Sequence, residues 1–133
     1  MKRILLFNLF IILVITFYSC SDDKGKWSDN IHLSVKAVEF SAFGDSTIIK
    51  TEGSSWWISD VSVDTSYYYN FHGVDLLADN YIIKQDCFVI EKRDKNTLFI
   101  KTAANPLNVK RIITVGFEAG DYFDRVTITQ KSK

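Results

Sequence analysis

The sequence predicts an all-β fold, an antiparallel sandwich of about 7–9 strands, and two observations carry that reading. Short runs of β-branched and aromatic residues alternate apolar with polar, and Gly, Asp, Asn and Ser turns separate them. No stretch after residue 30 sustains a helical period; Val74–Asn80 alone has the pattern of a single helical turn.

The last two strands are the clearest. Ile113, Val115 and Phe117 share one face, the Ala119-Gly120-Asp121 turn follows, and Val126 and Ile128 share a face opposite Arg125, Thr127 and Thr129. Earlier, Ile31, Leu33 and Val35 alternate, and Val38 with Phe40 alternate in the opposite phase, which predicts a bulge between them. Gly44-Asp45 turns the chain into Ser46–Thr51. Glu52–Ser55 turns it again into Trp56-Trp57-Ile58, followed by Val61 and Val63. Tyr81–Gln85 and Cys87–Lys92 are further runs, and Asp94-Lys95-Asn96 reads as a hairpin turn before Thr97–Thr102. The single proline, Pro106, falls in a loop, where a sheet ladder tolerates it.

The first residues have another character. Lys2 and Arg3 precede an apolar run from Ile4 to Phe17, which is the layout of a secretory signal peptide. As a helix that run would rise about 21 Å at ~1.5 Å per residue, short of the ~30 Å hydrocarbon core of a membrane. Ser19-Cys20 at its end resembles the lipobox read by bacterial lipoprotein signal peptidase. That resemblance implies a signal peptide over 1–19 and a lipid on Cys20, which would anchor the chain stably once it carries two or more acyl chains. Ser21-Asp22-Asp23 resembles the surface-export tag of some Gram-negative lipoproteins. It implies display on the outer face of the outer membrane, with a periplasm-facing location as the alternative. The same run is also an ordinary solvated tether, spanning 20–30 and containing Trp27.

Composition narrows the function. The whole chain has 16 basic and 16 acidic residues, and loss of Lys2 and Arg3 leaves the remainder slightly acidic. Nucleic acid is therefore not an expected partner. With Cys20 committed to lipid, Cys87 has no disulfide partner; its apolar neighbours Phe88, Val89 and Ile90 predict a buried, inert thiol. His32 and His72 lack companions at metal-ligand spacing, and Asp75, Asp79 and Asp86 form no EF-hand loop, so no metal or cofactor is expected. No nucleophile elbow or phosphate loop occurs, nothing selects a catalytic carboxylate pair, and no enzyme is expected.

Several features recur in order along the chain: Trp57-Ile58 after a turn, Phe88-Val89-Ile90 before a hairpin, Asn105 followed by Arg111-Ile112-Ile113, and a final Val126–Gln130. Together they resemble the BACON domain family over roughly residues 31–131. The resemblance implies an immunoglobulin-like sandwich over 31–133 and a carbohydrate-binding role. It also implies structural parts for Trp57, Phe88, Asn105, Arg111 and Gln130. Trp57 would be core, Trp56 partly exposed or covered by the insertion, and Arg111 would bond carbonyls or a carboxylate. Phe88 stands where the family usually has a second Trp, and the segment at about 64–85 is longer than the family's, an insertion.

That insertion holds Tyr67-Tyr68-Tyr69-Asn70-Phe71-His72-Gly73. Sugar rings stack on exposed aromatics, and neighbouring polar groups fix the hydroxyls. Trp56, Tyr67, Tyr69, Asn70 and His72 could supply such a site if they converge. The alternative is an extra packed strand with Tyr67, Tyr69 and Phe71 on one face. Two functions follow: a surface lipoprotein binding glycan or glycoprotein, or a non-catalytic adaptor docking with an outer-membrane protein.

Overall fold

A computed structural model of the chain describes residues 28–133. The signal segment, Cys20 and Trp27 lie outside the described residues. Nine strands form two facing sheets: β1 (Ala37–Phe40), β2 (Asp45–Lys50), β3 (Trp57–Val63), β4 (Ser66–Tyr68), β5 (Tyr81–Gln85), β6 (Phe88–Asp94), β7 (Thr97–Thr102), β8 (Arg111–Ala119) and β9 (Tyr122–Gln130). One sheet runs β1-β9-β8-β3-β4 and the other β2-β7-β6-β5. The predicted all-β sandwich is what forms. The first strand lies beside the last. That β1–β9 pair is parallel, and every other ladder is antiparallel.

The inner faces are the apolar phases of the alternation. Ile58, Val61, Ile113, Val115, Phe117, Val126 and Ile128 come from the larger sheet, and Ile49, Ile83, Phe88, Ile90, Leu98 and Ile100 from the smaller. Each is almost fully buried. Burying a side chain of this size contributes about 1.5–3 kcal/mol, which is how the domain holds together with Cys87 as its one described cysteine, unpaired. The β8–β9 hairpin closes on two residues, and Gly120 takes φ 62° there, a conformation that glycine adopts without strain.

Three expectations change. Ile31, Leu33 and Val35 do not form a strand; Leu33 makes one bridge to Thr51 beside β2, and the chain then crosses to the other sheet and pairs with β9 from Ala37. The phase flip in the sequence thus marks a change of sheet, not a bulge. Val74–Asn80 forms no helix; it makes two turns, closed by Val74 N–H to Phe71 O and Ala78 N–H to Asp75 O. Cys87 is only half-buried, and burial pushes its thiol up from the ordinary value.

The tryptophans also exchange roles. Trp56 is 2 % exposed, its ring 5.2 Å from that of Phe117, and its Nε1 donates to Thr51 Oγ1 at 2.9 Å. Trp57 is only partly buried. The cause is Ile58, which faces inward, so alternation turns Trp57 outward and returns Trp56 to the core.

Candidate functional site

The outer face of the five-stranded sheet carries a groove of about 480 Å³. Its floor begins with a bulge. Ile58 opposes Phe117 and Val61 opposes Val115, so Ser59 and Asp60 both face Gly116. Bulges of this kind aim side chains that a regular ladder would place elsewhere. A Cβ on residue 116 would lie 2.2 Å from Asp60 Oδ1 and 2.7 Å from Ser59 Oγ. Only glycine lets the Asp60 carboxylate lie across β8, and Ser59 Oγ donates to it at 2.8 Å. On the other side of Gly116, its ladder partner is Arg125.

Two exposed aromatics bound the groove. Tyr67 on β4 is 70 % exposed and Phe123 on β9 is 61 % exposed. Tyr67 pairs with Ser62, Ser62 with Thr114, and Phe123 with Glu118. The rings therefore stand at opposite corners, three strands and four residues apart. At ~4.8 Å per strand and ~3.4 Å per residue their backbones are about 20 Å apart. Ser62 and Thr114 line the groove with hydroxyls between them.

The groove's charges divide into committed and open. Asp124 accepts from Lys36 Nζ at 2.7 Å, from Tyr122 Oη at 3.3 Å and from Arg125 N–H at 2.8 Å. The bond to Asp124 raises the Lys36 ammonium above its usual pKa. Asp64 Oδ1 accepts from Ile112 N–H at 2.8 Å, holding the turn between β3 and β4. Asp60 and Arg125 make no ion pair among the described residues and face the groove.

The five sequence-nominated ligand residues do not converge. Tyr67 lies in the groove. Asn70 and His72 line a different recess of about 210 Å³ beside β5. Tyr69 is exposed and lines neither. Trp56 is core, so its nomination fails for the packing reason given above. The alternative of a packed strand is half met: β4 forms, but Tyr68 is the inward residue, meeting Phe88 edge-on at 5.7 Å, while Phe71 is buried beyond the strand's end. Sequence reasoning missed Asp60, Gly116, Phe123 and Arg125. Signals existed: the apolar phase slips between Ile58 and Val61, and Phe123 is apolar at an outward position of β9.

Lys92 was also unforeseen. It is 3 % exposed, its Nζ donates to Trp56 O at 3.0 Å and lies 4.6 Å from the Trp56 ring centre and 5.6 Å from that of Tyr81. Burial lowers its ammonium's pKa, and burial pushes the Tyr81 phenol up to about 12. The lysine itself fills the space between the rings, which makes this a packing staple.

The resemblance residues Asn105, Arg111 and Gln130 gather at one end of the sandwich. Arg111 Nη1 donates to Gln130 Oε1, and Gln130 Nε2 donates to Ser41 O and Ala103 O. Arg111 thus reaches a side-chain amide where a carbonyl or carboxylate was expected, and Gln130 makes the carbonyl bonds. Asn105 Nδ2 donates to Val109 O and Lys131 O, and its Oδ1 accepts from Leu107 N–H. Phe88 is fully buried.

No protein-family model and no curated protein matches the chain. It is similar to the solution NMR structure of a protein from Bacteroides thetaiotaomicron, with a TM-score of 0.65 and 23 % identity, over 86 % of this chain and 96 % of that one. At that identity the likeness shows the fold, and the chain is an all-β sandwich of two facing sheets.

Proposed function

We propose that this chain is a membrane-anchored surface lipoprotein that binds glycan or glycoprotein in the groove across its five-stranded sheet. One observation carries the reading: Tyr67 and Phe123 stand exposed at the two ends of a polar floor containing Asp60, Ser62, Thr114 and Arg125. Aromatic faces stack on the C–H faces of sugars, while fixed hydroxyl, carboxylate and guanidinium groups bond the hydroxyls. A span of about 20 Å fits several sugar units in a row better than one. The BACON resemblance supports the same role, and two of its structural residues, Arg111 and Gln130, bond to each other. Anchorage rests on the signal segment and Cys20. The described chain begins at the sandwich end where Ile31 O accepts from Glu52 N–H and Gly53 N–H.

A panel of immobilised glycans probed with the purified protein tests this reading. Binding that Tyr67→Ala and Phe123→Ala each weaken at least tenfold supports it. Binding unchanged in the double variant removes the groove from consideration.

A second reading, an adaptor docking with an outer-membrane protein, has its own observation. At the end of the sandwich away from residue 28, Phe43 is 84 % exposed, and Leu107 and Val109 in the β7–β8 connection are exposed as well. Asn105 pins the loop that presents the latter two. Rigidly displayed apolar side chains mark interaction surfaces. Crosslinking from position 43 in cells, with one specific membrane protein captured and no loss after Tyr67→Ala, favours this reading over the first.

A further inference from the structure

We propose that the groove selects uncharged glycans and turns away anionic ones, with Asp60 as the residue that sets this preference. The inference rests on the glycan-binding reading and adds the ligand's charge class.

The geometry points to Asp60 for three reasons. Its carboxylate lies over Gly116, where any side chain would displace it. Ser59 donates to Oδ1, which fixes the group and leaves its remaining acceptor positions for a ligand. Arg125 is the ladder partner of Gly116 on the far side. Asp60 and Arg125 therefore flank a glycine, with backbones two strand spacings, about 10 Å, apart. The Asp60 carboxylate takes the space that a side chain at 116 would fill, so the groove there presents an acceptor and a donor. A sugar edge with neighbouring hydroxyls suits it, because each hydroxyl both donates and accepts.

The sign of the local charge then decides the class. Three carboxylates line the groove, Asp60, Asp64 and Asp124, against the one guanidinium of Arg125. Lys36 offsets Asp124. A uronate or sulfate entering the groove would come beside the Asp60 carboxylate, and like charges brought together in a partly desolvated site oppose binding. A neutral hydroxyl donating to the same carboxylate gains a charge-assisted bond.

The test uses the full-length lipoprotein in detergent, with laminarin, amylose and mannan as neutral probes and polygalacturonate and heparin as anionic ones. The expected result is retention by at least one neutral polysaccharide and by neither anionic one. Asp60→Asn, a substitution at a partly exposed position, should weaken the neutral interaction about tenfold while leaving the unfolding midpoint near wild type. Tighter binding of heparin or polygalacturonate than of every neutral probe, abolished by Tyr67→Ala, overturns the charge preference and leaves the groove as a glycan site. Neutral binding that Asp60→Asn does not change removes Asp60 from the role. Retention by none of the five probes overturns both this inference and the reading beneath it.

Discussion

Arg111 Nη1 and Gln130 Oε1 meet at 3.1 Å between cross-strand partners of β8 and β9, and both side chains are buried. Gln130 relays that bond to the carbonyls of Ser41 and Ala103, at 3.2 and 2.8 Å. Removing the amide would leave a buried guanidinium and two carbonyls short of partners. Gln130→Ala should therefore lower stability by about 2–3 kcal/mol, read as a shift in the urea midpoint. Gln130→Glu would keep the acceptor for Arg111 but lose both donors, and should cost part of that amount.

The two tryptophans should separate cleanly. Trp56→Ala empties a core position against Phe117 and removes the ring that packs on the Lys92 ammonium, for an expected loss of about 3–5 kcal/mol. Trp57→Ala, at a partly exposed position, should cost less than half as much. Urea unfolding of the two variants checks the order, and a larger cost at Trp57 would contradict the packing described.

Gly116→Ala puts a methyl group against the Asp60 carboxylate and the Ser59 hydroxyl. The expected cost is about 1–3 kcal/mol from overpacking. Glycan retention should fall with it, more than in Ser62→Ala, since the methyl group would displace the Asp60 carboxylate.

Alkaline pH should weaken the fold through Tyr81. Its phenol titrates near 10 when unfolded and is held at about 12 when folded, because burial disfavours the phenolate. The folded state thus keeps a proton that the unfolded state loses. This contribution is complete below pH 10 and is lost as pH rises toward 12, by about 2–3 kcal/mol. Lys92 works in the other direction: its folded pKa lies below 10.5, so its burial penalises folding less once it is neutral. Stability measured from pH 9 to 12 should fall less steeply in Tyr81→Phe than in wild type.

Much of the fold was legible because one face of each strand is buried. In β8 and β9, Ile113, Val115, Phe117, Val126 and Ile128 keep strict alternation, and the predicted faces are the observed ones. Trp57 was misplaced because the family resemblance assigned it to the core, while the neighbour that decides the phase is Ile58. The strand change after Val35 was misread because a change of sheet and a bulge leave the same phase flip in the sequence. The candidate site was harder to see. Tyr67 drew notice within an aromatic cluster, but Asp60, Gly116 and Arg125 come together only through pairing of β3, β8 and β9, and single polar residues on strands do not announce their ladder partners.

The crossing of the first segment between sheets also has a mechanical side. Ile31 and Ser34 bond to the β2 end, and β1 then lies parallel to β9, the last strand of the domain. A pull on residue 28 along the strands loads these bonds side by side, in shear, so that several must fail together and cannot peel one at a time. Tension between residue 28 and a ligand held in the groove would reach the core only after that clamp gave way.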